Sequence, residues 1–150
     1  MNGKGPSFWS LLLAAGGLLF LAGCGPDRPD MIPVRGKVTL AGGAWPKPGT
    51  LSFDPVEPVP GFDRRPGAGD FDTDGTFIAK TGRYEGLIPG RYRIGVFCWK
   101  NEPSHEADGE HYVPERFANP SQSELVLEVP PDADGPIEWN YNFPSAESSP

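Results

Sequence analysis

The stretch from Asp70 to Trp99, DFDTDGTFIAKTGRYEGLIPGRYRIGVFCW, constrains the fold more than any other. Asp74-Gly75 and Pro89-Gly90 interrupt it twice, and around these breaks apolar residues recur at every second position, the period of a strand. Phe71 and Phe77 flank Thr73-Asp74-Gly75. A three-residue loop with Gly75 left-handed pairs Phe71 with Phe77 and sets both rings and Ala79 on one face. A two-residue loop at Asp74-Gly75 would pair Phe71 with Ile78 and split that face, so the longer loop is expected. After the second break, Tyr92, Ile94, Val96 and Cys98 alternate on one face, and Arg91, Arg93, Gly95, Phe97 and Trp99 take the other.

Leu87-x-Pro89-Gly90-x-Tyr92 resembles the tyrosine corner of β-sandwiches, in which the phenol bonds back to upstream backbone. That resemblance implies a buried Tyr92 with its hydroxyl on a carbonyl near Leu87. Gly75, Leu87, Pro89, Gly90 and Tyr92 are therefore read as structural residues.

The remaining chain follows the same period. Val34, Gly36, Val38 and Leu40 form one face of a first strand, and Leu51 and Phe53 one face of a second. Pro55 to Ala68, with four prolines, reads as a loop, as does the long segment 100–122. Leu125, Leu127 and Val129, then Ile137, Trp139, Tyr141 and Phe143, give two further strands. No amphipathic helix pattern occurs in 34–143, and 20 Gly with 19 Pro supply frequent turns. Seven short strands with these turn signals predict an all-β domain, a seven-stranded antiparallel Greek-key β-sandwich, over 34–143. Residues 144–150 read as a disordered tail.

The first 24 residues carry a different signal. Lys4 precedes an apolar segment, Phe8 to Gly23, that is 16 residues long, contains glycines, and falls short of the ~20 residues that span a bilayer. A charged start, a short apolar middle and small residues at the end are the layout of an export signal. Leu21-Ala22-Gly23-Cys24 resembles the lipobox of bacterial lipoproteins, and that family implies cleavage before Cys24 and acylation of it. An uncleaved anchor or an ordinary signal peptide are the alternatives. Two or three acyl chains anchor a protein stably, since each buried methylene contributes ~0.8 kcal/mol. In the same family Asp after the Cys often retains the protein in the inner membrane. Gly25 stands there instead, so outer-membrane anchoring in the cell envelope is expected. Residues 24–33 then form a lipidated tether of Pro-rich sequence. Losing residues 1–23 removes Lys4 and no acid, taking the formal charge from −7 to −8, and such an acidic domain is not expected to bind nucleic acid. Cys98 remains the one thiol, without a disulfide partner, and its inward position reads as packing rather than reactivity.

Taken together, Val34-Arg35-Gly36-Lys37-Val38-Thr39-Leu40, Thr50-Leu51-Ser52-Phe53, Thr73-Asp74-Gly75-Thr76-Phe77 and Gly86-Leu87-Ile88-Pro89-Gly90-Arg91-Tyr92-Arg93-Ile94 resemble the carboxypeptidase regulatory-like, transthyretin-like domain family. Tyr112-Val113-Pro114-Glu115-Arg116-Phe117 with Asn119-Pro120-Ser121 is similar to a segment found in small bacterial lipoproteins of this type. The resemblance covers about 34–143 and implies a prealbumin-like sandwich serving as an accessory or surface module without catalysis or cofactor.

Several residues invite chemistry. Asp70-x-Asp72-x-Asp74-Gly75 copies the start of a calcium loop, but Ile78 and Thr81 stand at its ninth and twelfth positions, so a turn with solvated acids is expected. His105, Glu106, Asp108, Glu110 and His111 could supply metal ligands, at spacings that fit no familiar zinc site. No nucleophile elbow is present. Arg64, Arg65, Arg91 and Arg93 read as solvated surface charges. Trp45, Phe97, Trp99, Tyr112 and Phe117 are the candidates for a partner surface, unless the 100–122 segment covers them. The leading expectation is a non-catalytic, lipid-anchored envelope module that reaches the membrane through Cys24 and scaffolds or binds an unknown protein or glycan partner. A carbohydrate-binding module using the aromatics is the second reading. A small hydrolase or metal protein centred on 100–117 is the third.

Overall fold

The structure is a computed structural model that describes residues 30–148. The export signal, Cys24 and most of the expected tether lie outside the described residues. In chain order the elements are β1 (Val34–Leu40), β2 (Gly49–Pro58), β3 (Gly67–Phe71), β4 (Thr76–Ile78), β5 (Lys80–Thr81), β6 (Tyr84–Glu85) and β7 (Gly90–Phe97). They continue with β8 (Trp99–Asn101), β9 (Glu110–His111), a one-turn helix α1 (Glu115–Ala118), β10 (Val126–Val129), β11 (Ile137–Glu138), β12 (Tyr141–Phe143) and a 3-10 turn at Ala146–Ser148.

The fold is all-β, as the alternation predicts. One curled, barrel-like sheet runs β10-β7-β2-β3-β4-β1-β11, with β12 continuing beside β1, and β8-β9 forms a separate small ribbon. The expected hairpin register holds: Phe71 faces Phe77, Gly75 has φ +78°, and Ala79 is buried with both rings. Asp74 accepts hydrogen bonds from the Thr76 amide and hydroxyl, which fixes the loop. The corner forms too. Tyr92 is 1 % exposed and its hydroxyl donates to the Ile88 carbonyl at 2.6 Å. A buried phenol needs such a partner, because an unsatisfied hydroxyl costs about 1–3 kcal/mol.

The pairing is not uniformly antiparallel. β11 and β12 run parallel to β1, with Val34 opposite Ile137 and Leu40 opposite Phe143. The reason lies in chain direction. β1 and β7 point the same way, being separated by four antiparallel steps, and β10 points back along β7. The turns between Val129 and Ile137 reverse the chain once more, so it reaches β1 running with it. Where the two chains touch most closely, Gly36 lies against the Trp139 carbonyl, and a Cβ there would overlap that oxygen. The Asn140 side chain replaces a backbone acceptor for the Lys37 amide at 2.8 Å.

Four further expectations change. The prolines of 55–58 do not end β2, which passes them through a bulge between Pro55 and Glu57 while staying paired with β7. Proline is tolerated at such bulges because a ladder amide is not required of it. The last residues of the expected tether belong to the domain: Ile32 exchanges both backbone hydrogen bonds with Leu87 at 2.9 Å. The expected tail includes a 3-10 turn at Ala146–Ser148, with the Ala146 amide on the Tyr112 carbonyl at 2.8 Å. The 100–122 segment contains both a β-strand and the helical turn α1.

The interior collects the inward residues of every main strand, among them Val38, Leu51, Phe53, Phe77, Ile94 and Phe143. Each such side chain contributes about 1.5–3 kcal/mol by leaving water, and no disulfide is needed among the described residues. The arrangement also defines two poles. Ile32 and Leu87 meet beside the start of β1 and β7, and the ends of β7 and β12 lie opposite. Eight residues of β7 separate these poles by roughly 25 Å at ~3.3 Å per residue.

Candidate functional site

At the pole where β7 ends, its two faces part. Cys98 turns into the core and Phe97 and Trp99 turn outward, both partly buried. Trp99 opens β8, which pairs with β9 so that Trp99 lies opposite His111. This pairing stacks the His111 ring on Trp99 at 3.7 Å and 26°, and Phe97 meets the same imidazole edge-on at 6.0 Å. Gly109, two residues before His111, also presses on the indole; a Cβ there would overlap Trp99 Cζ3.

The chain then crosses the end of the sheet. The Tyr112 amide donates to the Cys98 carbonyl at 3.0 Å while its own carbonyl receives the Ala146 amide, so one residue ties the end of β7 to the segment after β12. Val113 enters the core. Pro114 introduces α1, whose buried side is Phe117 and Ala118. Pro120 then lies over Gly95, where a Cβ would fall 2.7 Å from its ring. The absent side chain at Gly95 is what lets this segment reach the sheet.

Between the Phe97–Trp99–His111 cluster and the α1 segment lies an open groove of about 630 Å³, lined also by Ala146. That volume falls within the range of small binding clefts. Its floor is aromatic and its rim carries Glu110 and Glu115. Lys100 stands beside it, bridged to Glu147 at 3.0 Å and Glu110 at 3.4 Å, and these bonds push its ammonium pKa up. Burial pushes the His111 pKa down, partly opposed by the Cys98 carbonyl. His111 Nδ1 is buried and has no hydrogen-bond partner among the described residues. The imidazole is therefore neutral near pH 7 and behaves as part of the aromatic floor.

The five aromatic candidates divide. Trp45 is a core residue, 2 % exposed, with its indole N–H on the Val38 carbonyl at 3.0 Å and its ring 4.7 Å from Phe71. Phe117 is 7 % exposed and packs edge-on against Phe143 at 5.7 Å, and Tyr112 is partly buried against the same core. Neither Trp45 nor Phe117 offers a partner surface; Phe97 and Trp99 line the groove. His111 joins them, a role the sequence hides because its stacking partner lies twelve residues upstream across a ribbon with a shifted register. Trp99 is not an open platform, since imidazole and Gly109 occupy its ring.

The other candidates resolve into structure. Among the described residues no three His, Cys, Asp or Glu side chains converge to hold a metal ion, and His105 is exposed. Asp70 accepts from the Thr50 hydroxyl, Asp72 from the Thr73 amide and Asp74 from Thr76, whose hydrogen bonds hold the Asp74 pKa below its ordinary value. Arg91 pairs with Glu128 and Glu57, Arg93 donates to the Ser121 carbonyl, Arg64 donates to the Pro55 carbonyl and Arg65 to Asp63. The Cys98 thiol, buried, donates weakly toward the Lys47 and Pro48 carbonyls, and burial raises its pKa, which disfavours the reactive thiolate. No family model matches the chain, and neither a curated protein nor a solved structure matches it.

Proposed function

We propose that this chain is a non-catalytic envelope lipoprotein that presents the Phe97–Trp99–His111 groove to a protein partner. The observation that carries the reading is polarity of position. The chain enters the domain at the Ile32–Leu87 pole, where an anchor on Cys24 would hold it, and the groove opens at the opposite pole. A module built this way offers this aromatic cleft away from the bilayer. The tyrosine corner and the hairpin support kinship with the carboxypeptidase regulatory-like, transthyretin-like family, whose Greek-key sandwich the curled sheet would represent. A glycan reading is weaker, because stacking on sugar needs an open ring and Trp99 is covered by His111.

Cys24→Ser should abolish palmitate labelling and release the protein from sedimented envelopes. A photo-crosslinking residue at position 99 should capture a partner in intact cells, and the same residue at exposed Arg64, at the far end of β2, should not. Unchanged membrane retention of Cys24→Ser removes the anchor from the reading, and equal crosslinking at both positions removes the groove.

A further inference from the structure

The groove's charge says what kind of segment it accepts. We propose that its occupant is an extended peptide segment carrying a Lys or Arg side chain beside an apolar one. This rests on the groove being a partner surface and adds the partner's chemistry. The floor is Phe97 and Trp99, with His111 stacked on the indole. Two acids line the groove as well, Glu110 and, at the start of α1, Glu115. The Glu115 carboxylate is exposed and forms no ion pair among the described residues, so it is available to an incoming cation. The nearby cations are otherwise engaged. Lys100 is held by Glu147 and Glu110, and Arg116 lies over the Phe117 ring at 4.8 Å.

An apolar side chain would leave water against the Phe97 and Trp99 side chains that line the groove, and a cation beside it would be drawn by the unpaired Glu115 carboxylate. Neutral His111 adds no positive charge to repel it. An acidic segment would face Glu110 and Glu115 together, and a wholly apolar one would leave the Glu115 carboxylate desolvated without a partner, Glu110 being held by Lys100 and Asn101. The segment from 100 to 117 also carries Glu102, Glu106 and Asp108, which extend the negative field beyond the rim and favour cationic approach.

The full-length protein, purified in detergent, is titrated by NMR with a blocked Leu-Lys-Leu-Arg-Leu peptide and with the same peptide bearing Glu at both charged positions. The cationic peptide should shift the Trp99 indole resonance and leave that of Trp139 unmoved. Raising salt from 50 to 500 mM should weaken binding severalfold. Glu115→Lys should weaken it at least tenfold while the fold, read by circular dichroism, is retained; Trp99→Ala should abolish it. Equal binding of the Glu peptide, no saturable shift with the cationic one, or undiminished binding by Glu115→Lys overturns the proposal. Partner crosslinking at position 99 in cells, combined with any of these failures, would leave the groove a partner surface with an occupant of other chemistry. Loss of both overturns the two readings together.

Discussion

Gly75 and Gly42 have nearly the same positive φ, +78° and +80°, in very different surroundings. That makes them a matched pair for testing how the hairpin is seated. An alanine in the left-handed region costs about 1–2 kcal/mol at either site. At Gly42 nothing lies within 4 Å of the new methyl group, so Gly42→Ala should cost only that. At Gly75 the methyl would overlap the Val38 carbonyl oxygen, part of the β1 backbone. The same oxygen accepts the Trp45 indole N–H at 3.0 Å, and the Val38 amide donates to the Gly75 carbonyl at 2.9 Å. Relieving the overlap means lifting the hairpin from β1, which strains or breaks both bonds at about 0.5–1.5 kcal/mol each and loosens Trp45 from Phe71 and Phe143. Gly75→Ala should therefore cost about 2–5 kcal/mol in total, against about 1–2 for Gly42→Ala. Urea unfolding followed by tryptophan fluorescence measures both. Losses equal within ~0.5 kcal/mol, the usual additivity error, would refute the seating of the hairpin tip on β1.

Tyr92→Phe keeps the ring and loses the bond to Ile88, so it should cost about 1–2 kcal/mol. Burial pushes the Tyr92 pKa up to about 12. An unfolded tyrosine ionises near 10, so stability present below pH 10 should be lost as pH rises to 12, by roughly 2–3 kcal/mol at 1.36 per unit; the loss should be smaller in Tyr92→Phe, and identical alkaline limbs would contradict the buried phenol. His111 has its pKa lowered by burial, so the unfolded chain takes up the proton first. Stability should fall as pH drops below about 6.5, and His111→Phe, which keeps a ring on Trp99, should flatten that slope in a pH series of thermal melts. Gly36→Ala should separate β11 from β1 and speed amide exchange at Ile137 and Trp139; unaltered exchange there would argue against the parallel pairing. Calcium should leave the melting temperature unchanged, because Asp70, Asp72 and Asp74 already hold Thr50, Thr73 and Thr76, and a rise of several degrees would reopen an ion site at the hairpin.

Local signals in this sequence were readable where the physics is local. Gly75 needs a positive φ, Phe71 and Phe77 share a face only in one register, and Pro89-Gly90 fixes the approach to Tyr92; all three emerge as expected. The parallel placement of Ile137 to Phe143 beside β1 was not readable. Alternation tells which face a residue takes but not which neighbour its strand finds, and the clue, Gly36 meeting the Trp139 backbone, spans 103 positions. Trp45 illustrates a second limit. It follows a turn and precedes Pro46, yet its indole N–H finds the Val38 carbonyl and the ring is drawn inward. The groove was half legible: Phe97 and Trp99 stood on the outward face of their strand, while His111 was visible as a titratable residue and its stacking was not.

The exchange of backbone bonds between Ile32 and Leu87 also bears on force. A pull on the chain at residue 31 first meets this two-bond clasp and then runs lengthwise along β1. β1 is held on both sides, by β4 on one and by β11 and β12 on the other. Its ladder bonds lie across the line of pull, so they share the load instead of opening one after another from an end. Resistance of this kind is a matter of unfolding rate and not of equilibrium stability. The strand that receives the chain from its N-terminal side is thus the one set to keep the domain intact under tension, with the Ile32–Leu87 clasp as the part that yields first.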